Sequence, residues 1–244
     1  MTAPPSSTRS RFVLVGTSHA GNVGAAARAI KVMGFTELVL VAPRCADVLG
    51  QKEALAMASG ATDVLAGARV VATLAEALEG VGHVCATAMT PRDFGPPTAA
   101  PRAHFATLAG APPGIAFVFG SERFGMSNDD VYRCHQCLSI PAAPGYGSLN
   151  LAQAVQLIAY EWRMALGGYE VIPRTPAPAV ADARAVQGLL EHWREALLAV
   201  GYLDPVLPKK LMPRLNQVIN RAQVTDEEVH ILRGIARALA AGRK

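Results

Sequence analysis

Two polar clusters in this 244-residue chain have the residue types and positions of a ligand site. Asn22 lies close to the expected start of a helix, and Arg28 follows six residues later among alanines and glycines. An arginine on such a helix offers a planar, permanently charged fork that suits a phosphate group. The segment 117–127 places Gly120 and Glu122 just past an apolar strand, at the strand end where α/β sheets bind their ligands.

A third cluster, residues 140–155, leads from a strand through a loop rich in proline and glycine into a helix. Ser148 is the expected N-cap of that helix, with free backbone amides around it. Each cluster taken alone also has a structural explanation: Asn22 as a helix cap, Glu122 as a loop carboxylate, and residues 148–150 as an ordinary helix start.

The elements that must position these clusters alternate between strand and helix. An alanine-rich helix over 23–33 separates two apolar strands and makes one βαβ unit, and a long helix is expected over about 149–166. The predicted strands are 11–16, 38–42, 69–72, 83–87, 115–119 and 138–140. Alternation of this kind predicts an α/β domain with a mainly parallel sheet.

The chain is expected to have four parts. A disordered lead covers residues 1–10, an α/β domain 11–170, a proline-rich linker 171–181 and a helical extension 182–244. The helices expected in the extension are 183–200, 209–222 and 226–241, the last opened by a capping box from Thr225 to Glu228. The proline-rich segment 91–113 is expected to be an irregular excursion without core elements.

Several classes of protein are excluded by what the sequence lacks. It has neither G-x-G-x-x-G nor G-x-x-x-x-G-K-[ST], which argues against dehydrogenases, kinases and ATPases. No apolar run approaches the roughly 18 residues of a membrane span, and the N-terminus does not look like a signal peptide. We therefore expect a soluble cytoplasmic protein with no membrane partner.

Cysteine and histidine usage gives no metal prediction. Four cysteines do not make a disulfide framework, so reduced thiols are expected. Cys134 and Cys137 form one CxxC pair, for which a zinc or redox site is a minor alternative to two half-buried structural residues. The six histidines share no ligand spacing and are interpreted as scattered surface or core residues.

The positive charge is concentrated in the extension. Residues 174–244 hold 11 Lys and Arg against 7 Asp and Glu, which accounts for the whole net charge of +4. Within it, Lys209, Lys210, Arg214 and Arg221 stand in a stretch, 205–224, that has no acidic residue. Such a patch suits a phosphate backbone, although a solvated helix face would look the same on charge alone.

The clusters together resemble a known family. Asn22-x5-Arg28, Phe119-Gly-Ser-Glu-Arg-Phe-Gly125 and Ser148-Leu-Asn-Leu-Ala-Gln-Ala154 resemble, in order and spacing, the three motifs of the SpoU branch of the SPOUT RNA ribose methyltransferases. Leu211-Met-Pro-Arg-Leu and Ile231-Leu-Arg-Gly-Ile resemble the C-terminal extension of its TrmJ group, the tRNA (cytidine/uridine-2′-O-)-methyltransferases.

The resemblance implies a fold and a cofactor that the spacing does not show. It implies a trefoil knot in which the last strand, loop and helix, about 138–166, thread through the chain. It also implies a homodimer that binds S-adenosylmethionine, bent and held mostly by main-chain groups, at the subunit interface. Carried over by position, the donor pocket is Thr87, Ala88, Met89, Gly120, Ile140, Gly147, Ser148 and Leu149.

The resemblance also assigns roles to the polar residues. Arg28 would be catalytic by holding an RNA phosphate and the ribose hydroxyl, since a guanidinium is a poor general base. Asn22, Glu122, Ser148 and Asn150 would orient Arg28, the target hydroxyl and the pocket backbone, with no metal. Thr90 stands where the family tends to have arginine, whereas Arg92, with Lys209, Lys210 and Arg214, remains an expected RNA contact.

The resulting hypothesis is a tRNA ribose 2′-O-methyltransferase that acts at nucleotide 32 of the anticodon loop. A ribosomal-RNA ribose methyltransferase of the same superfamily is the alternative within the class. A non-catalytic RNA-binding module that keeps the fold is the alternative from another class.

Overall fold

The computed structural model describes residues 9–88, 92–108, 114–172 and 178–242. The chain divides into two compact units, residues 1–170 and 171–244. Most of the predicted lead and the centre of the predicted linker lie outside the described residues. Ser10 was wrongly placed in the lead: it is the first residue of a strand, and its hydroxyl accepts a hydrogen bond from the Trp162 indole, 2.8 Å away.

The first unit contains a sheet of seven strands, all parallel, in the order β3-β2-β1-β6-β4-β7-β5. The parallel α/β prediction is therefore confirmed. The strands are β1 (Ser10–Val15), β2 (Glu37–Val41), β3 (Arg69–Val71), β4 (His83–Thr87), β5 (Thr98–Ala99), β6 (Ile115–Phe119) and β7 (Gln136–Leu138).

Seven helices lie between or after these strands within the described part of the first unit. They are α1 (Ala20–Val32), α2 (Lys52–Ala58), α3 (Thr62–Ala66), α4 (Leu74–Ala77), α5 (Pro101–Thr107), α6 (Asn128–Tyr132) and α7 (Leu151–Ala165). Apolar cores lie on both faces of the sheet. This explains why the central strands read as continuous apolar runs rather than as alternating ones.

The interpretation of 91–113 as an irregular excursion is wrong, because this segment supplies both an edge strand, β5, and helix α5. Pro101 is the first residue of α5. The amide of a first helical residue has no partner within the helix, so a proline at this position costs no hydrogen bond. Phe105 of this helix is buried and packs edge-on against Phe117 and Trp162. The prolines in this segment therefore lie at the ends of short elements and do not indicate that the segment is irregular.

The second unit is built from α8 (Ala183–Ala199), α9 (Leu211–Ala222) and α10 (Asp226–Ala241). Its small core includes Leu189 and Val229, and the Trp193 indole donates to the Leu232 carbonyl over 3.1 Å. The predicted capping box is present: Thr225 Oγ1 accepts from the Glu228 amide, and the Glu228 carboxylate accepts from the Thr225 amide.

None of the helices in the described ranges combines the length and the apolar character that crossing a bilayer requires.

Candidate active site at the carboxyl edge of the sheet

A cleft of about 290 Å³ opens where β4, β6 and β7 end. Its walls come from the last residues of these strands and from the loops that follow them, because parallel strands present their carboxyl ends at one edge of the sheet. Phe119, Leu138 and Ile140 contribute apolar side chains, and the loop before α7 contributes residues 147–149. The volume is at the lower end of the range for small-molecule sites.

The structure brings most of the predicted donor-pocket residues together in this cleft. Seven of the eight line it: Thr87, Ala88, Gly120, Ile140, Gly147, Ser148 and Leu149. The eighth, Met89, lies outside the described residues, as does Thr90. Arg92, an expected RNA contact, also lines the cleft.

Glu122 is the centre of a hydrogen-bond network beside the cleft. Its Oε1 accepts from Thr17 Oγ1 and from Asn22 Nδ2, each over 2.9 Å. Its Oε2 accepts from the amide and the hydroxyl of Ser18, each over 3.0 Å. The carboxylate therefore joins the loop after β6 to the start of α1.

These contacts keep Glu122 ionised. Burial would raise the pKa of its carboxyl group, but the hydrogen bond from Asn22 and the other donors outweigh burial and lower the pKa to about 2. At neutral pH the group therefore accepts hydrogen bonds and has no proton to give. An ionised carboxylate can hold its donors in place but cannot act as a general acid.

Asn150 extends the network and caps α7. Its Nδ2 donates to Asn22 Oδ1 over 2.9 Å, while its Oδ1 accepts from the Ala152 amide. Gln153 completes a capping box by accepting from the Asn150 amide. The prediction of Ser148 as the N-cap is therefore wrong by two residues, because the amide side chain of Asn150 satisfies the first free amides instead.

Close backbone packing within the chain requires the glycines at positions 24 and 120. A Cβ on Gly120 would collide with the backbone of Gly125 and Met126, because the loop 121–125 folds back over it. A Cβ on Gly24 would collide with the Ala54 backbone, since α1 and α2 pack closely there. The small residues around Arg28 thus admit a neighbouring helix, and Gly120 permits the turn that presents Glu122.

Arg28, predicted to be catalytic, does not line the cleft of its own chain. It is exposed on α1, two turns beyond Asn22, and it is absent from the lining of the cleft. Within the described residues it has no acidic partner. Its guanidinium is therefore available to an external anion.

Sequence reasoning missed Thr17 and Ser18, which supply three of the hydrogen bonds to Glu122. The available signal was their position directly after β1, at the same edge of the sheet as Glu122. Two small hydroxyl residues beside Gly16 are common in turns, so residue type alone did not single them out.

The interpretation of the histidines as scattered is wrong for three of them. The rings of His83 and His104 stack with 5.2 Å between centroids, and those of His83 and His135 with 5.3 Å. The parallel sheet and α5 bring them together from distant parts of the sequence, which spacing does not reveal. No disulfide joins the four cysteines, all of which lie in the described residues, and Cys134 and Cys137 are buried.

The predicted RNA contacts of the second unit are exposed. Lys209 and Lys210 precede α9, and Arg214 and Arg221 lie on it. Helix α9 starts at Leu211, two residues later than predicted, because Lys209 adopts a left-handed backbone conformation with φ of 48°. No described residue of α9 is fully buried, and Ile219 is the partly buried residue of this helix that packs against the core of the unit.

Comparison with known proteins places this geometry in a family. Residues 9–160 match the SpoU rRNA Methylase family, and residues 184–244 match the C-terminal domain of the tRNA methyltransferase TrmJ. The chain belongs to the SpoU methylase family. This SpoU methylase has the α/β SPOUT fold with a helical C-terminal extension, as the sequence motifs implied.

Relatives of this SpoU methylase match it over nearly its whole length. The tRNA (cytidine/uridine-2′-O-)-methyltransferase TrmJ of Salmonella typhimurium is 42% identical over 235 residues, covering 92% of this chain and 93% of the relative. That of Cronobacter sakazakii is 41% identical and covers 96% of both. The resemblance to the TrmJ group is therefore confirmed.

Solved structures agree with the sequence matches. The crystal structure of TrmJ from Z. mobilis ZM4 superposes on this SpoU methylase with a TM-score of 0.81 at 33% identity, covering 94% of this chain and 98% of the other. A probable methyltransferase from Bordetella pertussis Tohama I is 50% identical and has a TM-score of 0.60, covering 65% of this chain and 96% of the other.

Proposed function

We propose that this SpoU methylase is a tRNA ribose 2′-O-methyltransferase that uses S-adenosylmethionine and modifies cytidine or uridine 32 of the anticodon loop. In this proposal it acts as a cytoplasmic homodimer. The observation that carries the proposal is the cleft at the carboxyl edge with the Glu122 network beside it, in a chain whose TrmJ relatives match both units.

The cleft fits the proposed donor. Phe119, Leu138 and Ile140 provide apolar surface for an adenine ring, and the loop residues 147–149 bring main-chain groups to the same space. S-adenosylmethionine, when bound, supplies the methyl group. The chain supplies a cleft with fixed neighbours, so its contribution to rate is position rather than proton transfer.

Glu122, Asn22 and Asn150 act as one positioning unit in this proposal. The ionised carboxylate of Glu122 fixes the Asn22 amide, and Asn22 in turn accepts from Asn150 at the start of α7. The network therefore fixes the loop after β6, the start of α1 and the start of α7 relative to one another. Ser148 lies in the cleft beside this unit, where its hydroxyl can contact the donor or the target ribose.

Arg28 holds the RNA phosphate and orients the ribose hydroxyl for attack on the methyl group. Because Arg28 does not line the cleft of its own chain, we place it at the cleft of the second copy in the homodimer. Arg92 lines the cleft and contacts the RNA near the target nucleotide. The exposed cations Lys209, Lys210 and Arg214 bind the body of the tRNA.

Donor binding and methyl transfer together test the proposal. Calorimetry with S-adenosylmethionine should show binding, and labelled methyl groups should appear in bulk tRNA and not in ribosomal RNA. Transfer to ribosomal RNA alone would support the alternative within the superfamily. Absence of both donor binding and transfer would leave only a non-catalytic RNA-binding module.

Complementation tests the placement of Arg28 in the second copy. Arg28→Ala and Leu149→Arg, which blocks the cleft, should each be inactive alone. Randomly paired mixtures should recover about one quarter of wild-type activity, because a mixed dimer has one intact cleft facing one intact Arg28. A mixture that stays inactive would place Arg28 at the cleft of its own chain, and an Arg28→Ala variant that is active alone would remove Arg28 from the reaction.

A further inference from the structure

Three side chains with metal-binding atoms meet away from the cleft. His83 and Cys85 lie on β4, and His104 lies on α5. One ligand atom from each residue can be chosen so that all three lie within 4.8 Å of one another. The Nε2 atoms of the two histidines are 3.0 Å apart.

The fold makes this cluster in a simple way. His83 and Cys85 are two residues apart on a strand, so their side chains point to the same face of the sheet. Cys85 belongs to the same apolar core as Phe105, the neighbour of His104 on α5. The strand and the helix therefore direct their three side chains into one small volume.

The donor set matches a thiophilic divalent ion. Two imidazole nitrogens and one thiolate are ligands that Zn²⁺ accepts in tetrahedral sites. Zinc–nitrogen bonds of about 2.0–2.1 Å place two tetrahedral nitrogens roughly 3.3 Å apart, close to the observed 3.0 Å. We propose that His83, Cys85 and His104 form a Zn²⁺ site that links β4 to α5.

Burial shifts the pKa of all three side chains. Burial, followed by the neighbouring His104 and His135, lowers the pKa of His83, and burial lowers the pKa of His104. Burial raises the pKa of Cys85, so an ion that binds must displace the thiol proton to solvent.

His135 stacks on His83 but is not a ligand. The Val84 amide donates to its Nδ1 over 3.0 Å, which leaves the proton of the neutral ring on Nε2. The protein therefore provides three ligands, and water completes the tetrahedron beside the half-exposed rings of His83 and His104. His135 is consequently a useful control position, since it is adjacent to the site but outside the coordination sphere.

The proposed metal site lies away from the cleft. His83 begins β4, whereas Thr87, which lines the cleft, ends it. Four residues of strand separate them by roughly 13 Å along the chain. An ion at this position tethers α5 to the sheet, and its presence does not depend on the proposed methyl transfer.

Metal titration of the full chain tests the site. After chelator treatment, the wild type should bind one Co²⁺ per chain with a thiolate-to-cobalt charge-transfer band, and Zn²⁺ should displace it. Cys85→Ser should lose that band. His104→Gln should weaken binding by more than the roughly 10- to 100-fold that loss of a supporting residue costs at a metal site.

Two variants separate this site from its neighbours. His135→Gln and Cys134→Ser should keep the stoichiometry and the band, and circular dichroism should show that every variant is folded. Added Zn²⁺ should raise the Tm of the wild type and of His135→Gln but not that of His104→Gln. No cobalt uptake by the wild type, a band that survives Cys85→Ser, or loss only with Cys134→Ser would overturn the proposal.

Discussion

Glu122 shows how residue identity and environment together define a role. A carboxylate with several donors around it and a pKa of about 2 cannot exchange protons usefully at neutral pH. It can, however, fix Asn22 and, through it, Asn150. The chemistry assigned to this site is therefore alignment of groups, which requires precise distances more than titration.

The depressed pKa of Glu122 predicts a pH effect on stability. A carboxyl group whose pKa is lower in the folded state stabilises the protein above its ordinary pKa of 4.5, and this stabilisation is lost as the pH falls towards 2. Urea unfolding of the wild type at pH 5 and pH 3 should therefore show a larger stability loss than in Glu122→Gln. Equal losses in the two proteins would mean that the hydrogen-bond network does not stabilise the ionised carboxylate of Glu122.

Asn150 has two functions that single substitutions can separate. Asn150→Ala should lose about 1 kcal/mol of stability, because the cap of α7 disappears. Asn150→Asp keeps an acceptor for the Ala152 amide but loses the donor to Asn22. It should therefore retain most of the stability while methyl transfer falls, as measured by urea unfolding and labelled-donor assays.

The opposite pattern for Asn150 would contradict this separation. If Asn150→Asp transfers methyl groups like the wild type, the bond to Asn22 does not position the site. If Asn150→Asp is as unstable as Asn150→Ala, the side-chain oxygen is not the cap.

At the scale of the elements, the contacts of a helix decide whether replacing one of its glycines with alanine stabilises or destabilises the protein. Gly24 in α1 and Gly234 in α10 both lie inside helices, where alanine is favoured by about 1 kcal/mol. A Cβ at position 24 would meet the Ala54 backbone, whereas nothing lies within 4 Å of a Cβ at position 234. The same substitution should therefore have opposite effects.

We expect Gly234→Ala to stabilise the second unit by up to about 1 kcal/mol. Gly24→Ala should destabilise the first unit by about 1–3 kcal/mol, because a backbone neighbour cannot move aside. Calorimetric unfolding measures both. A stabilising Gly24→Ala would show that α1 and α2 do not pack as closely as described.

The elements that the sequence could predict are those specified locally. Helix α10 has the predicted bounds because its capping box and apolar periodicity lie within the segment itself. Helix α5 and strand β5 were missed because their signals are short and surrounded by prolines. The meeting of Asn22, Glu122 and Asn150 followed only from the family resemblance, since no local signal joins residues 100 or more positions apart.

At the scale of the whole molecule, the two units differ in net charge. The excess of basic residues belongs to residues 174–244, and the acid-free stretch 205–224 carries the exposed cations Lys209, Lys210 and Arg214. Neutralising phosphates with such residues releases counterions, so their contribution to RNA binding depends on salt. This property distinguishes an RNA contact from a merely solvated surface.

Replacing Lys209, Lys210 and Arg214 with glutamate should weaken tRNA binding. The slope of log affinity against log salt concentration should also decrease in magnitude, by about one for each phosphate that is no longer neutralised. The matched control reverses Arg184, Arg194 and Arg237, which are exposed in the same unit, to glutamate. Filter binding across a salt series measures both. Equal changes in the two triple variants would show a general charge effect instead of a binding surface.

The measurement that bears most directly on the account is mass-spectrometric mapping of tRNA after reaction with the wild type and with Arg28→Ala. The account predicts one added methyl group on the ribose of cytidine or uridine 32 for the wild type. It predicts none for Arg28→Ala, although that variant still binds S-adenosylmethionine. A methyl group on a base or at another nucleotide, or unchanged transfer by Arg28→Ala, would contradict it.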